Sequence, residues 1–208
     1  MTYHYYGDKN ADIVLIQPVG DHDMAEIENE VAEIKKLTSV DFQLIAVKVD
    51  DWNDELSPWN APAVFGNEDF GMGAQATLTE ILKLCSDKGK TYYIGGYSLA
   101  GLFSLWAAYQ TDVFSGVAAA SPSVWFSNFI EYMKDHDIRC GTVYLSLGDR
   151  EEHTKNTVMA RVGDCIREGY SWLMEHGVDC VLEWNKGGHF KEPALRTARA
   201  FAWVMSKN

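Results

Sequence analysis

Apolar residues along the chain follow two alternating patterns. Short continuous apolar runs, typical of buried parallel strands, alternate with longer segments in which apolar residues recur every three or four positions, as in amphipathic helices. The predicted strands are residues 13–16, 42–49, 91–93, 116–120, 142–147 and 180–184. The predicted helices are residues 24–37, 74–85, the segment around 102–108, and residues 128–136, 157–176 and 193–205. This alternation predicts an α/β fold with a mostly parallel central sheet and helices on both faces.

The predicted elements form one series without a break. The sequence contains no internal repeat, no low-complexity tract and no inter-domain linker, so we expect a single domain over residues 1–208. At 208 residues and 47% apolar composition the chain is long enough to bury one core covered on both sides. Residues 50–72 lack a clear period, and a loop of roughly 20 residues is commonly functional.

The composition narrows the classes of partner and the cellular compartment. A net charge of −12 repels phosphates, so we expect neither a nucleic-acid partner nor a membrane partner. No stretch approaches the ~20 apolar residues of a membrane span, and residues 1–8 lack the pattern of a secretory signal. The four cysteines are scattered without C-x-x-C pairing, which predicts reduced thiols in a cytoplasmic protein.

A serine lies in a turn of small residues between a predicted strand and a predicted helix. Residues 94–101 are Ile-Gly-Gly-Tyr-Ser-Leu-Ala-Gly. A sharp strand-to-helix turn pushes a serine hydroxyl out above the strand end, as in the nucleophile elbow of hydrolases. Ser98 is therefore the predicted nucleophile, although Ala100 stands where the usual pattern has its second glycine. An ordinary packing turn is the alternative interpretation.

The predicted base is a histidine that follows the last strand. His189 is preceded by two glycines, which form a flexible loop that can carry an imidazole over the strand ends. Of the six histidines, His189 alone follows the last predicted strand, and an exposed loop histidine is the alternative interpretation.

A catalytic histidine needs a carboxylate that bonds its far nitrogen and fixes its tautomer. Three candidates follow the strand at 142–147, namely Asp149, Glu151 and Glu152. Their spacing does not choose among them, and at least two must be solvated loop charges or parts of the local structure.

These motifs resemble a known family when they are taken together with Ser121-Pro122-Ser123-Val124-Trp125. The chain is similar to the esterase family of α/β-hydrolases around esterase D and the ferric-siderophore esterases. The resemblance implies an α/β-hydrolase fold, here in a minimal form, because the short chain leaves little room for a large cap. Members of this family often place the acid three residues after a strand-terminal glycine. That spacing implies Glu151, with Asp149 as the alternative acid.

An esterase also needs backbone N–H groups that stabilise an oxyanion. The N–H of Leu99 lies at the N-terminus of the helix that follows the serine, where it is positioned for this role. The resemblance implies a second donor in the turn after the first core strand, at Val19 or Gly20. The His-Gly opening that the family usually has there is replaced by Gln17-Pro18.

Three tryptophans are candidates for binding substrate. Trp52 and Trp59 lie in the proline-containing loop after the second strand, and Trp125 lies in the turn after the strand at 116–120. Large aromatic rings can wall a pocket for an acyl chain, a sugar or an aromatic acid. For Trp52 and Trp59, simple anchoring of the loop to the core is an equal alternative.

Serine, acid and histidine in this order predict hydrolysis of carboxylic esters through an acyl-enzyme. We expect no cofactor and no metal, since neither His22 nor His153 has acidic neighbours at a recognised metal-site spacing. An acyltransferase on the same fold, or a degenerate hydrolase that only binds, remains an alternative. The expected partner is a small-molecule ester. Its acyl and alcohol parts and the oligomeric state, a homo-oligomer included, stay open.

Overall fold

A seven-stranded sheet forms the centre of the protein in the computed structural model, which describes residues 1–207. The strands are β1 (Thr2–Gly7), β2 (Ile13–Val19), β3 (Phe42–Lys48), β4 (Thr91–Tyr97), β5 (Phe114–Ala120), β6 (Thr142–Gly148) and β7 (Asp179–Asn185). Their order in the sheet is β1-β3-β2-β4-β5-β6-β7. Strand β1 pairs antiparallel with β3, and all other neighbours pair in parallel. The loops that follow β2, β3, β4, β5, β6 and β7 therefore meet at one edge of the sheet.

Helices cover both faces of the sheet. They are α1 (Asp21–Leu37), α2 (Trp52–Glu55), α3 (Ala74–Leu84), α4 (Leu99–Gln110), α5 (Phe129–Asp135), α6 (Val162–Glu175) and α7 (Pro193–Met205). Helices α1 and α7 pack on one face, and α3, α4, α5 and α6 pack on the other, so the core has two apolar layers. Within residues 1–207, none of the helices is both long and apolar enough to cross a lipid bilayer.

The predicted α/β architecture is confirmed, with differences at particular elements. Strand β1 was not predicted, because an edge strand is half exposed and shows no buried apolar run. Helix α1 begins three residues before the predicted start, where Asp23 accepts a hydrogen bond from the Gly20 N–H and caps the helix. The segment 50–72 is not structureless, since it contains α2 and a bridge between Ala61 and Phe70.

The cysteines lie within the packed layers and none forms a disulfide among residues 1–207. Burial raises the pKa of the Cys85, Cys140 and Cys180 thiols to about 12, and it also raises the pKa of Cys165. Thiols of this kind are not ionised at neutral pH and are weak nucleophiles.

Candidate active site

Ser98 occupies a strained turn between β4 and α4. Its backbone has φ 56° and ψ −118°, a conformation that side-chain-bearing residues rarely adopt and that costs about 1–3 kcal/mol. The Ser98 N–H donates to the carbonyl of Ala120 at 3.1 Å, and the Ser98 carbonyl accepts from the Leu102 and Ser123 N–H groups. The surrounding hydrogen bonds therefore hold the turn, and the Ser98 side chain is only half-buried at the sheet edge.

Small neighbours make this turn sterically possible. A Cβ atom at Gly96 would lie 2.7 Å from the Cβ of Ala100, closer than side chains approach one another. A Cβ atom at Gly101 would lie 3.0 Å from the carbonyl oxygen of Gly96. Alanine is accommodated at position 100 because Gly96 opposite it has no side chain. The departure from the usual glycine thus leaves the turn intact.

The imidazole of His189 lies between the serine and a carboxylate. Its Nε2 is 3.0 Å from the Oγ of Ser98, and its Nδ1 is 2.7 Å from Oε2 of Glu151. The loop that carries His189 leaves β7 and passes through Gly187 at φ +106°, a conformation that favours glycine. Three side chains from the ends of β4, β6 and β7 are therefore joined in one hydrogen-bonded chain.

Glu151 is a buried carboxylate with several donors. Its Oε1 accepts hydrogen bonds from the Gly148 N–H at 2.7 Å, the Ser121 hydroxyl at 2.8 Å and Arg196 at 2.9 Å. Burial by itself would raise the pKa of Glu151, but the hydrogen bonds and the His189 side chain outweigh it and lower that pKa. The carboxylate is consequently ionised at neutral pH.

The other two acid candidates have different partners. Asp149 is exposed and accepts a hydrogen bond from the Gly187 N–H at 2.8 Å, which pins the histidine loop at its base. Glu152 pairs with Arg167 at 2.8 Å. Of the three acids, Glu151 alone contacts the imidazole.

Two residues that the sequence interpretation missed lie beside the hydrogen-bonded chain of Ser98, His189 and Glu151. Arg196 in α7 is 2% exposed and contacts Glu151, and the hydroxyl of Tyr97 donates to the His189 carbonyl at 2.6 Å. An arginine in the apolar stripe that also contains Ala200 and Val204 was the signal available in the sequence. Ser121 and Ser123 were recognised only as parts of a motif, and the Ser123 hydroxyl lies 3.2 Å from the Ser98 hydroxyl.

The N–H groups of the expected oxyanion donors differ in whether they are already hydrogen-bonded. Leu99 is the first residue of α4, so its N–H has no acceptor within the helix. The expectation for Gly20 is wrong, because its N–H donates to Asp23 at 2.9 Å. The expectation for Val19 is also wrong. The carbonyl of Val19 accepts a hydrogen bond from the N–H of Val49, just after β3. Because the N–H of a strand residue points to the same side as its carbonyl, the Val19 N–H also faces β3.

The three tryptophans that the sequence singled out lie in different surroundings. Trp59 donates to the carbonyl of Ser127 at 2.9 Å and packs on the aromatic rings around α5, so it anchors its loop to the core. Trp52 packs edge-on against His22, beside Gly20 in the turn after β2. Neither ring lines the cavity beside His189, and a role for either in binding substrate stays a prediction.

Trp125 does line that cavity. The cavity has a volume of about 210 Å³ and is mostly apolar. Its walls are formed by Ser121, Pro122, Trp125, Arg150, Glu151, Thr154, Met159, Val162, His189 and Phe190. The site therefore combines a hydroxyl, an imidazole and a carboxylate with an adjacent apolar space.

Solved structures share this fold over nearly the whole chain. The siderophore hydrolase EstA from Aspergillus nidulans has a TM-score of 0.71 and 20% identity, over 97% of this chain and 86% of that one. An IroE-like serine hydrolase from Shewanella oneidensis has a TM-score of 0.77 and 12% identity, over 97% and 74%. FphF, a fluorophosphonate-binding serine hydrolase from Staphylococcus aureus, has a TM-score of 0.61 and 12% identity, over 96% and 85%.

No family model matches the sequence, and no curated protein matches it either. At these low identities the structural likeness establishes the fold. The protein has the α/β-hydrolase fold without a large cap among residues 1–207, and the predicted resemblance to siderophore esterases is confirmed at that level.

Proposed function

We propose that this protein is a serine hydrolase that cleaves small carboxylic esters through an acyl-enzyme. The observation that carries the proposal is the continuous hydrogen-bonded chain from Ser98 through His189 to Glu151, which begins at a strained turn. In this proposal Ser98 lies on a nucleophile elbow and the three side chains form a catalytic triad. The esterases and serine hydrolases among the structures of the same fold support this choice of chemistry.

The first half of the reaction forms the acyl-enzyme. The Ser98 Oγ attacks the ester carbonyl carbon while Nε2 of His189 accepts the hydroxyl proton. The carbonyl oxygen becomes an oxyanion, to which the Leu99 N–H donates a hydrogen bond. When the tetrahedral intermediate collapses, the bond to the leaving oxygen breaks, and the alcohol leaves with the proton from His189.

The second half releases the acid. Water attacks the acyl carbon and gives its proton to Nε2 of His189, and the second collapse returns that proton to the Ser98 oxygen. Through both halves Glu151 stays ionised, because its pKa is low, and it stabilises the imidazolium through Nδ1. The acyl group is freed as a carboxylic acid.

The cavity beside His189 limits the substrate. Trp125, Met159 and Val162 give it an apolar lining, and its volume of about 210 Å³ fits a short acyl chain or a single ring. We therefore propose small-molecule esters as substrates.

Replacement of the nucleophile tests the proposal. Ser98→Ala removes the attacking oxygen, so hydrolysis of p-nitrophenyl acetate is expected to fall by about 10⁶-fold, as for other triad serines. A fluorophosphonate probe, which reacts with an activated serine by loss of fluoride, is expected to label the unaltered protein at Ser98. Peptide mapping by mass spectrometry locates the label.

Ser123→Ala is the matched control, since it removes the neighbouring hydroxyl and leaves Ser98 in place. This variant is expected to retain labelling. Retention of more than a few per cent of activity in Ser98→Ala, or an unlabelled native protein, contradicts the proposal and favours a binding module.

A further inference from the structure

Among residues 1–207, Arg196 has the largest fully buried side chain. It lies directly behind the candidate active site. We propose that Arg196 is a positioning residue, which holds the Glu151 carboxylate and the His189 loop in the geometry that the reaction requires. This inference rests on the proposed function.

One nitrogen of the Arg196 guanidinium contacts the acid and its neighbours. Nη1 lies 2.9 Å from Oε1 of Glu151, and it lies 3.1 Å from the hydroxyl oxygens of both Ser121 and Tyr97. The side chains of Arg196 and Glu151 are 2% and 4% exposed, so water does not screen this pair. A buried carboxylate held in this way cannot rotate without losing charge-assisted hydrogen bonds.

The arrangement around the carboxylate determines which oxygen serves the histidine. Arg196, Ser121 and the Gly148 N–H all donate to Oε1, which leaves Oε2 free to accept from His189. Loss of Arg196 would remove the cationic donor from this set and leave two neutral ones. We expect the carboxylate plane, and with it the imidazole, to become less ordered.

The second terminal nitrogen of the guanidinium, Nη2, contacts the histidine loop. Nη2 donates to the carbonyl of Gly188 at 3.2 Å and lies 3.4 Å from the carbonyl of Lys186. Tyr97, itself bonded to Arg196, donates to the carbonyl of His189. A loop with two consecutive glycines has high conformational freedom, and these contacts restrict it next to the imidazole.

Only a planar fork with several donors reaches both partners at once. A lysine ammonium has its three N–H donors on one nitrogen, so it cannot contact the acid and the loop carbonyls in the same geometry. Lysine at this position therefore preserves the charge but not the connection, which makes Arg196→Lys and Arg196→Met an informative pair of variants.

The experiment compares both variants with Arg199→Met. Arg199 lies one turn further along α7 and bonds Glu183 and Asn185 near the protein surface. We expect kcat for p-nitrophenyl acetate to fall ~100-fold in Arg196→Met and ~10-fold in Arg196→Lys, because small misplacements of catalytic groups have effects of this size. KM is expected to change less than threefold, and Arg199→Met is expected to keep the native kcat.

A spectroscopic readout separates positioning from folding and from the proposed activity. The proton between Nδ1 of His189 and Glu151 is expected to give a downfield NMR signal, which is assigned by its loss in Glu151→Gln. That signal should broaden or disappear in Arg196→Met while the remaining amide spectrum stays native. Thermal unfolding monitored in parallel identifies any variant that fails to fold, in which case Arg196→Lys carries the test.

Two results would overturn the role of Arg196: a folded Arg196→Met protein with a kcat within threefold of Arg199→Met, or one that keeps the downfield signal unchanged. A native protein that neither hydrolyses esters nor reacts with fluorophosphonate overturns the proposed function instead. The NMR comparison still tests the contact of Arg196 with the acid in that case.

Discussion

Two glutamates in this protein are almost equally buried and behave in opposite ways. Glu151 at the sheet edge is 8% exposed, and Glu30 in α1 is 5% exposed. Glu151 is surrounded by His189, Arg196 and neutral donors, and its pKa is lowered. Glu30 has one neutral partner, the amide of Gln17 at 3.3 Å, and burial raises its pKa to about 8.

The difference between them lies in the partners and not in the depth of burial. Desolvation acts on both carboxyls in the same direction and disfavours the charged form. At Glu151 the interaction with His189 and the hydrogen bonds from Gly148 and Ser121 outweigh desolvation, whereas at Glu30 one amide does not. A buried acid is thus suited to catalysis as a carboxylate only where the fold supplies positive charge and donors around it.

The two residues also give opposite dependences of stability on pH. Because the folded pKa of Glu151 lies below its unfolded value, its contribution is present above about pH 4.5 and is lost as the pH falls through the folded pKa. Because the folded pKa of Glu30 lies above its unfolded value, the folded protein loses stability as the pH rises from about 4.5 to about 8.

Of the changes that separate the two glutamates, neutralising Glu151 has the largest expected effect. Glu151→Gln removes the charge that stabilises the imidazolium and allows the wrong tautomer of His189, so kcat is expected to fall by about 10³–10⁴-fold. Steady-state kinetics with p-nitrophenyl acetate measure the change. Asp149→Asn is the control and is expected to stay within about threefold of native kcat, since Asp149 contacts only the loop backbone. Equal small losses in both variants would contradict the assignment.

The acid without a charged partner, Glu30, is expected to affect stability and not catalysis. Glu30→Gln replaces a group that resists ionisation with a neutral one of the same shape. We expect it to raise the free energy of unfolding by about 4 kcal/mol at pH 8 and by less than about 1 kcal/mol at pH 5. Urea unfolding at both pH values measures this, and kcat serves as the control. A gain that is the same at both pH values would show that ionisation of Glu30 is not its cause.

The smallest effect concerns the amide beside Glu30. Gln17→Met removes the hydrogen bond that lowers the pKa of Glu30, so stability at pH 8 is expected to fall by about 1 kcal/mol. Urea unfolding of a double-mutant cycle with Glu30→Gln isolates this coupling. If the cost of Gln17→Met is unchanged in the Glu30→Gln background, the two side chains are not coupled.

The pattern of apolar residues was sufficient to predict the parallel core and most of its elements. The long strands and helices are locally encoded, because their apolar periods reflect burial on one or both sides. It was insufficient for β1, whose half-exposed edge position leaves a weak pattern, and for the fold of the 50–72 segment, which depends on contacts such as the Ala61–Phe70 bridge.

The residues of the candidate site also fall into those that the sequence predicted and those that it did not. Ser98 and His189 were identified from their positions after strands, since the carboxyl ends of parallel strands converge at one edge of a sheet. The spacing did not choose among Asp149, Glu151 and Glu152, and the preference for Glu151 came from the family resemblance. The same resemblance implied an oxyanion donor at Val19 or Gly20, whereas the Gly20 N–H donates to Asp23. The directions of side chains and N–H groups at the ends of strands follow from packing and not from spacing.

By itself the sequence determined the α/β class, the order of most elements and the positions of the candidate nucleophile and base. Only the tertiary structure decided that Glu151 is the partner of His189 and that Arg196 lies behind it. Arg196 is separated from Glu151 by 45 residues and from Tyr97 by 99, so no local pattern relates them. Their contact arises because α7 packs against β4, β5 and β6 and so brings the Arg196 side chain to the carboxylate of Glu151.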